Sequence, residues 1–159
     1  MKTYSLPQIL LHWIVALLVL AQILNDDAIA RAFRALRRDP AAVPGVLAQA
    51  HVWIGVAILL LVLWRLALRL TRGVPPPPAG EPAVLRFLAV ATHFLLYGIL
   101  LALTFSGIAT WFGGIRPAAE LHETLKLPLL ALVALHFAGA LYQGAVRRSD
   151  VLGRMFSPG

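Results

Sequence analysis

Cysteine is absent from this 159-residue chain. Disulfide bridges, cysteine-ligated zinc sites, iron–sulfur clusters and thiol catalysis are therefore all excluded. Any chemistry that the chain carries must come from other side chains.

Charged residues are scarce as well. They make up 13% of the chain, whereas a typical soluble domain has about 25%. Hydrophobic residues make up 60%, and the mean hydropathy is +0.81. Because so little polar material cannot cover a water-exposed surface, the composition predicts an integral membrane protein. The length leaves no room for a sizeable catalytic module outside the membrane.

The net charge of +7 raises the question of nucleic acid. Binding of that kind needs a soluble basic face, which this chain lacks, so we expect no nucleic-acid partner. The basic residues lie between hydrophobic runs, where anionic membrane lipid is the expected partner.

Four stretches are long and apolar enough to cross a bilayer, which takes about 20 residues. They cover residues 5–24, 47–69, 87–112 and 121–146. We predict an all-α fold, a transmembrane four-helix bundle that forms one membrane-embedded domain over residues 1–159. Between the spans, residues 28–38 have the spacing of an amphipathic helix lying in the membrane interface. Residues 73–82 include four consecutive prolines and favour an extended link.

Four spans place both termini on one side of the membrane, and the distribution of lysine and arginine indicates which side. With the termini in the cytoplasm, the inner segments hold eight basic residues, namely Lys2, Arg65, Arg69, Arg72, Arg86, Arg147, Arg148 and Arg154. The outer segments hold six, namely Arg31, Arg34, Arg37, Arg38, Arg116 and Lys126. We therefore expect cytoplasmic N- and C-termini.

The first span has a second interpretation. Lys2, the apolar run and the sequence Ala28-Ile29-Ala30 resemble a secretory signal with a cleavage site. The apolar run is long for such a signal, and two aspartates precede the site. We therefore expect the segment to be retained as a membrane span.

All five histidines lie in or at the ends of the spans, at positions His12, His51, His93, His122 and His136. An ionisable side chain is costly in a bilayer, so each one is a functional hypothesis, with hydrogen bonding to a neighbouring helix as the plain alternative. His122 and His136 are 14 residues apart, which is about 40° short of four full turns and about 21 Å of rise. Both therefore point to one side of the fourth helix. By depth, we expect His51 to oppose His122 at the outer level and His12 to oppose His136 at the inner level.

Several kinds of site use opposed imidazoles in an apolar bundle. Structural zinc generally takes four ligands, with carboxylate or thiolate common among them, and a proton relay usually adds an acidic residue. The charge-free stretches of the spans contain neither. No nucleotide-binding pattern favours a flavin. Haem iron takes two axial ligands, and its large apolar ring suits a cavity between helices. Four placed histidines predict two haems, held non-covalently as b-type haem because no Cys-x-x-Cys-His is present. With both axial positions filled, the expected task is one-electron transfer.

The remaining candidates surround these pairs. His93, in the inner half of the third span, is a candidate to replace His136 as a ligand, to bond a haem propionate or to help bind a quinone. Four basic residues are candidates for pairing with propionates, namely Arg65 and Arg69 at the inner end and Lys126 and Arg116 at the outer end. Ordinary membrane anchoring is the alternative role for each of them.

At these positions the sequence resembles the bacterial cytochrome b561 family and, more distantly, the cytochrome b subunits of formate dehydrogenase and nickel–iron hydrogenase. The similarity spans nearly the whole chain. The matching pieces are Leu11-His12-Trp13, His51-x-x-x-Gly55, Arg65-Leu66-x-x-Arg69, His93-x-x-x-Tyr97, His122-Glu123-Thr124-Leu125, Leu135-His136-x-x-x-Ala140-Leu141 and Arg148-x-Asp150-x-Leu152-x-Arg154-Met155.

The resemblance implies a diheme cytochrome of the bacterial inner membrane. It places His12 and His136 on the inner haem and His51 and His122 on the outer haem. It also implies electron exchange with a ubiquinone-type quinone and, in some members, oxidation of superoxide at the outer face. Many relatives carry a histidine seven residues after the position of His136, where this chain has Gln143, which can still hydrogen-bond a quinone carbonyl.

We therefore predict a diheme electron carrier, an oxidoreductase that exchanges electrons with quinone across the membrane. A cytochrome b anchor subunit of a larger dehydrogenase complex and a non-redox transporter remain as alternatives. For superoxide, six outer basic residues could steer the anion. Five acidic residues nearly cancel them, so steering needs segregated charge; they are Asp26, Asp27, Asp39, Glu120 and Glu123.

Overall fold

The structure is a computed structural model, and it describes residues 3–158. Lys2, which was counted among the inner basic residues, lies outside the described residues. The described part contains five α-helices and no strand, which confirms the all-α prediction. The helices are α1 (Leu6–Leu24), α2 (Asp26–Arg38), α3 (Val46–Arg72), α4 (Ala83–Gly113) and α5 (Arg116–Ala145), and a short 3₁₀ turn follows at Gly153–Met155.

Four of these helices, α1, α3, α4 and α5, are long and apolar enough to cross a membrane. Helices α4 and α5 begin several residues before the predicted spans 87–112 and 121–146. The predicted spans were started after charged residues. In the structure, charged residues such as Arg86 and Glu120 belong to the helices, which therefore begin before the apolar stretches. These features are those of a multi-pass membrane protein.

Local signals account for the helix ends. The side chain of Gln8 accepts a hydrogen bond from the backbone N–H of Ser5 at 3.0 Å, and Pro7 lies in the first turn of α1, a combination typical of helix starts. Helix α4 ends at Gly113, and the next residue, Gly114, has a φ of 64° in the left-handed region. That conformation favours glycine and closes the last turn before α5 begins.

The long helices pack in sequence: α1 against α3, α3 against α4, and α4 against α5, with α2 lying on α3. The core is formed by buried aliphatic side chains of all four long helices, namely Val15, Val19, Ile58, Val62, Leu103 and Leu129. Within the described residues, α1 and α5 have no comparable backbone packing. Side chains must therefore fill the space between these two helices.

The bundle has two distinct ends. We call the end that carries α2 the α2 end, and the end where α1 begins and α5 ends the terminal end. Residues 28–38 do form a helix, as predicted, within α2. Residues 73–82 contain no helix, as their prolines predict.

Candidate functional site

A single stripe of α5 faces the inside of the bundle. His122, Leu129, His136 and Gln143 follow one another at intervals of seven residues, and seven residues fall only about 20° short of two helical turns. Leu129 is buried in the core. Each of the other three positions is partly buried, whereas most of the remaining surface of the helix is exposed. This stripe therefore presents three polar side chains to the interior at three depths.

At the α2 end, the stripe brings His122 opposite His51 of α3. Their ring centroids are 6.4 Å apart, and the ring planes make an angle of 64°. These are the two residues that the depth argument placed together. The structure thus contains a pair of facing imidazoles at this level.

The ring of His122 has a fixed orientation. Its Nδ1 atom lies 2.8 Å from the backbone oxygen of Leu103 in α4 and 3.3 Å from the hydroxyl of Ser106. A carbonyl can only accept, so Nδ1 carries the proton and Nε2 keeps its lone pair. A histidine held in this way is typical of a metal ligand whose second nitrogen is anchored.

Gly107 makes room for this ring. A Cβ atom built on Gly107 would lie 3.1 Å from Cε1 and 3.2 Å from Nδ1 of His122. These distances are shorter than ordinary van der Waals contact, so the imidazole rests directly against the α4 backbone. Glycine at this position therefore allows the close approach.

On the opposite side of the pair, Gln22 of α1 holds the backbone of His51. Its Nε2 donates to the His51 carbonyl oxygen at 2.8 Å. Its own Oε1 is buried without a hydrogen-bond partner, as is Nδ1 of His51. The Gln22 Oε1 atom can only accept a hydrogen bond, and the His51 Nδ1 atom can carry a proton. Gln22 was not among the sequence-predicted residues, although a polar residue inside an apolar span is a signal that could have identified it.

At the terminal end, the same stripe brings three histidines together. The ring centroids of His12 and His136 are 6.0 Å apart, and those of His93 and His136 are 5.0 Å apart. The Nδ1 atom of His93 lies 2.6 Å from the backbone oxygen of Ala89, so its Nε2 is the nitrogen left free. His136 therefore faces both candidate partners that the sequence offered. Among residues 3–158, no group of three or more histidine, cysteine or acidic side chains has a geometry that could hold a metal ion.

Arg65 and Arg69 lie beside this cluster, on the last turns of α3. The Nη1 atom of Arg65 donates to the Gln8 backbone oxygen at 2.8 Å, one turn before His12 in α1. Arg69 follows Arg65 by one turn in α3.

Lys126, the propionate candidate of the outer end, lies at the α2 end and forms two ion pairs. Its Nζ lies 2.8 Å from Oδ2 of Asp26 and 2.6 Å from Oε2 of Glu123. Lys126 therefore joins α5 to the start of α2 through two carboxylates.

Gln143, the last residue of the stripe towards the terminal end, also forms side-chain hydrogen bonds. Its Nε2 donates to Oε1 of Glu81 at 2.7 Å, and its Oε1 accepts from the hydroxyl of Ser149 at 2.9 Å. Glu81 lies near the end of the proline-rich link and was not a sequence-predicted site residue. Its position next to α5 depends on the path of that link, which no local pattern determines.

Comparisons with known proteins agree with this architecture. The family model described as prokaryotic cytochrome b561 matches residues 3–158. Over 98% of its length the chain is 33% identical to cytochrome b562 of Cereibacter sphaeroides, and the match covers 96% of that protein. Over 97% of its length it is 32% identical to a Yersinia pestis protein named probable superoxide oxidase CybB, again covering 96% of the relative.

Proposed function

This chain belongs to the prokaryotic cytochrome b561 family, a family of membrane electron carriers with b-type haem, and we propose that it binds two such haems and passes electrons between them across the bacterial inner membrane. The observation that carries the proposal is the stacking of two imidazole pairs along one face of α5. The termini and the terminal end then face the cytoplasm, as the lysine and arginine distribution predicts.

The geometry of the pairs fits an iron held between two imidazoles. Metal–nitrogen bonds of about 2 Å on both sides place ring centroids roughly 6 Å apart. The pairs His12–His136 and His51–His122 have 6.0 and 6.4 Å. At the α2 end, the anchored Nδ1 of His122 leaves Nε2 free to face His51. Helices α1 and α5 lack the close backbone packing of the other neighbouring helices, an arrangement that suits a flat apolar ring between them.

We assign His51 and His122 to the haem at the α2 end, and His12 and His136 to the haem at the terminal end. When bound, each haem would be held by its two histidines and would supply a one-electron redox centre. The side chains hold the ligand rings in register, and the apolar core excludes water between the two levels. Arg65 and Arg69 are placed to pair with propionates at the terminal end, whereas Lys126 is placed to fasten α2.

Quinone is proposed as the electron-exchange partner at the terminal end, where Gln143 and His93 lie. Superoxide is proposed as a donor at the α2 end. Helix α2 supports this choice, because its two acidic residues lie in the first turn while four exposed arginines follow, namely Arg31, Arg34, Arg37 and Arg38. Lys126 already pairs with Asp26 and Glu123. Along α2 the acidic and basic residues are thus separated, as steering of an anion requires.

The test begins with the absorption spectrum of the purified protein and its haem-to-protein ratio. We expect sharp α and Soret bands and two haems per chain. A superoxide source should then reduce the haems, and a soluble ubiquinone analogue should reoxidise them. A colourless protein would contradict the whole proposal, and one haem per chain would contradict the two-level assignment. Haems that superoxide does not reduce would remove superoxide as a donor.

A further inference from the structure

A small pocket lies at the terminal end, between the proline-rich link, the segment after α5 and the C-terminal tail. Its volume is about 300 Å³. Three of the residues that line it are arginines, namely Arg147, Arg148 and Arg154, and the acidic residue of its lining is Asp150. No histidine lines it. The pocket is therefore a basic site separate from the two histidine pairs.

The acidic residue of the pocket is already paired. Oδ2 of Asp150 accepts a hydrogen bond from Nε of Arg154 at 2.8 Å, and Oδ1 lies 2.8 Å from Nη2 of the same guanidinium group. Arg154 also donates from Nη1 to the Pro76 oxygen at 2.7 Å. These contacts use the charge of Asp150 and fasten the tail to the link. The charges of Arg147 and Arg148 are left to act on a ligand.

Arg147 and Arg148 retain most of their hydrogen-bond donors. Arg147 donates from Nη2 to the Gly80 oxygen at 3.1 Å, which leaves its other donors open. Within residues 3–158, the side chain of Arg148 forms neither a hydrogen bond nor an ion pair. Each guanidinium group carries five N–H donors in a planar fork that matches the oxygens of a phosphate. Two neighbouring arginines in a pocket therefore favour a phosphate ligand.

The backbone of Arg148 indicates that its side chain is needed at this position. Its φ is 50°, in the left-handed region where the Cβ atom of any residue other than glycine is crowded. The neighbouring turn is closed by backbone hydrogen bonds, from Arg147 to Tyr142 at 3.1 Å and from Ser149 to Gln143 at 3.0 Å. Glycine would form this turn with less strain. An arginine that occupies a strained position is an observation that points to function.

The surroundings of the pocket favour a phospholipid over a free phosphate. The pocket lies where the apolar helices end, at the level where the headgroups of a bilayer meet water. Val146, directly before Arg147, is 64% exposed, and Leu141 and Tyr142, about one turn earlier in α5, are exposed as well. A phospholipid can place its phosphate in the pocket and its acyl chains along this apolar surface, whereas a free phosphate would leave that surface unused.

We propose that this pocket binds the phosphate of an anionic phospholipid through Arg147 and Arg148, with the acyl chains lying along α5. Because Arg147 also holds the Gly80 oxygen, the bound lipid joins the end of α5 to the link between α3 and α4. The site goes beyond the proposed electron transfer and does not depend on the assignment of the haems.

The experiment measures lipid binding to the purified full-length protein in detergent by native mass spectrometry. Phosphatidylglycerol is compared with phosphatidylcholine of the same acyl chains, in which the choline cation offsets the charge of the phosphate. The variants are Arg148→Gln and Arg148→Gly, and Arg86→Gln is the matched control. Arg86 is an exposed arginine of α4 at the same end and does not line the pocket. The unfolding midpoint of each protein without added lipid is measured by circular dichroism.

We expect the wild type to bind phosphatidylglycerol more tightly than phosphatidylcholine. Both Arg148 variants should bind phosphatidylglycerol about tenfold more weakly, as the loss of a charged hydrogen bond predicts, and Arg86→Gln should match the wild type. Without lipid, Arg148→Gly should unfold no earlier than the wild type, because glycine relieves the left-handed conformation.

Three results of these titrations would overturn the inference. The first is equal binding of phosphatidylglycerol by the wild type and both Arg148 variants, and the second is equal binding of the two lipids by the wild type. The third is weaker binding that comes with a lowered unfolding midpoint in both Arg148 variants, since the arginine would then have a structural role.

A second arm distinguishes the lipid from free phosphate. A ligand that binds the folded protein raises its unfolding midpoint. We expect phosphatidylglycerol to raise the midpoint of the wild type more than that of Arg148→Gln. Inorganic phosphate should give the same midpoint as chloride at equal ionic strength. A rise with inorganic phosphate that equals the rise with lipid and disappears in Arg148→Gln would overturn the lipid as the occupant.

Discussion

The Nδ1 atom of His122 lies 2.8 Å from the backbone oxygen of Leu103, so that a side chain of α5 is anchored to the main chain of α4. This contact determines which nitrogen of the ring carries the proton and which remains available as a ligand. It also fixes the direction of the ring towards His51. The α2-end pair is thus prepared by the packing of two helices rather than by its own two residues.

The pairing of histidines predicts selective losses of haem. Changing His51 or His122 to alanine should each remove the haem of the α2 end and retain the other, because the two ligands serve one iron. Changing His12 or His136 should do the reverse. The pyridine haemochrome content of the purified variants should fall from two haems to one. Loss of both haems from every variant would contradict two independent levels.

His93 provides the internal check on this assignment. Because His136 faces both His12 and His93, the second ligand at the terminal end can be identified by substitution. We expect His93→Ala to keep both haems and His12→Ala to lose one. The opposite result would make His93 the ligand.

Gly107 leaves room for the His122 ring, and a larger residue at this position should displace that ring. In Gly107→Ala the new Cβ would lie 3.1 Å from His122, so we expect the ring to move and the α2-end haem to be bound more weakly. The matched control is Gly98→Ala in the same helix, where no atom lies within 4 Å of the added carbon. The control should keep both haems and gain up to about 1 kcal/mol of helix stability. Equal haem contents in the two variants would show that the His122 ring can shift without weakening the binding of haem.

The levels of the histidine pairs could be predicted because a helix has a fixed period. The 14-residue spacing of His122 and His136 places both on one face whatever else surrounds them. Four spans and a short helix at the α2 end follow equally from composition and spacing. These features depend on local sequence alone.

The partners of those histidines could not be predicted in the same way. The contacts of His122 with Leu103 and of Gln22 with His51 depend on how far each helix is rotated and shifted against its neighbour. The propionate role considered for Lys126 was based on its position near the outer end. Lys126 does lie at that end, but its contact with Asp26, which is 100 residues away in sequence, could not be predicted from local sequence.

Gln22 should influence the α2-end haem through His51. Gln22→Leu removes the hydrogen bond to the His51 carbonyl, a contact worth about 1 kcal/mol, and also the buried acceptor Oε1. We expect a changed midpoint potential for that haem and an unchanged potential for the other, measured by redox titration. Gln49→Leu is the control, since Gln49 is exposed and bonds only to the nearby Pro44 oxygen. Identical titrations of both variants would limit Gln22 to joining α1 and α3.

Lys126 should affect stability rather than haem content. Its side chain is 27% exposed and that of Asp26 is 39% exposed, so solvent weakens the ion pair, and its loss should cost at most about 1 kcal/mol. We expect Lys126→Met to retain two haems and to lower the unfolding midpoint slightly, with a smaller difference at high salt. Loss of the α2-end haem would instead restore the propionate role.

The C-terminal tail gives a prediction about pH. Arg154 donates from Nε to Asp150 at 2.8 Å and from Nη1 to the Pro76 oxygen at 2.7 Å, and the neighbouring Met155 oxygen accepts from Nε1 of Trp13. The hydrogen bond from Arg154 lowers the pKa of Asp150 below its ordinary value of 3.8. A lowered pKa means that the ionised form stabilises the folded tail. This contribution is present above the ordinary pKa and is lost as the pH falls through the lowered one.

At neutral pH we therefore expect Asp150→Asn to increase amide hydrogen exchange in residues 153–157. The difference in unfolding midpoint between wild type and variant should close as the pH is lowered below about 4. A difference that persists at pH 2 would mean that the aspartate acts on the tail without its charge.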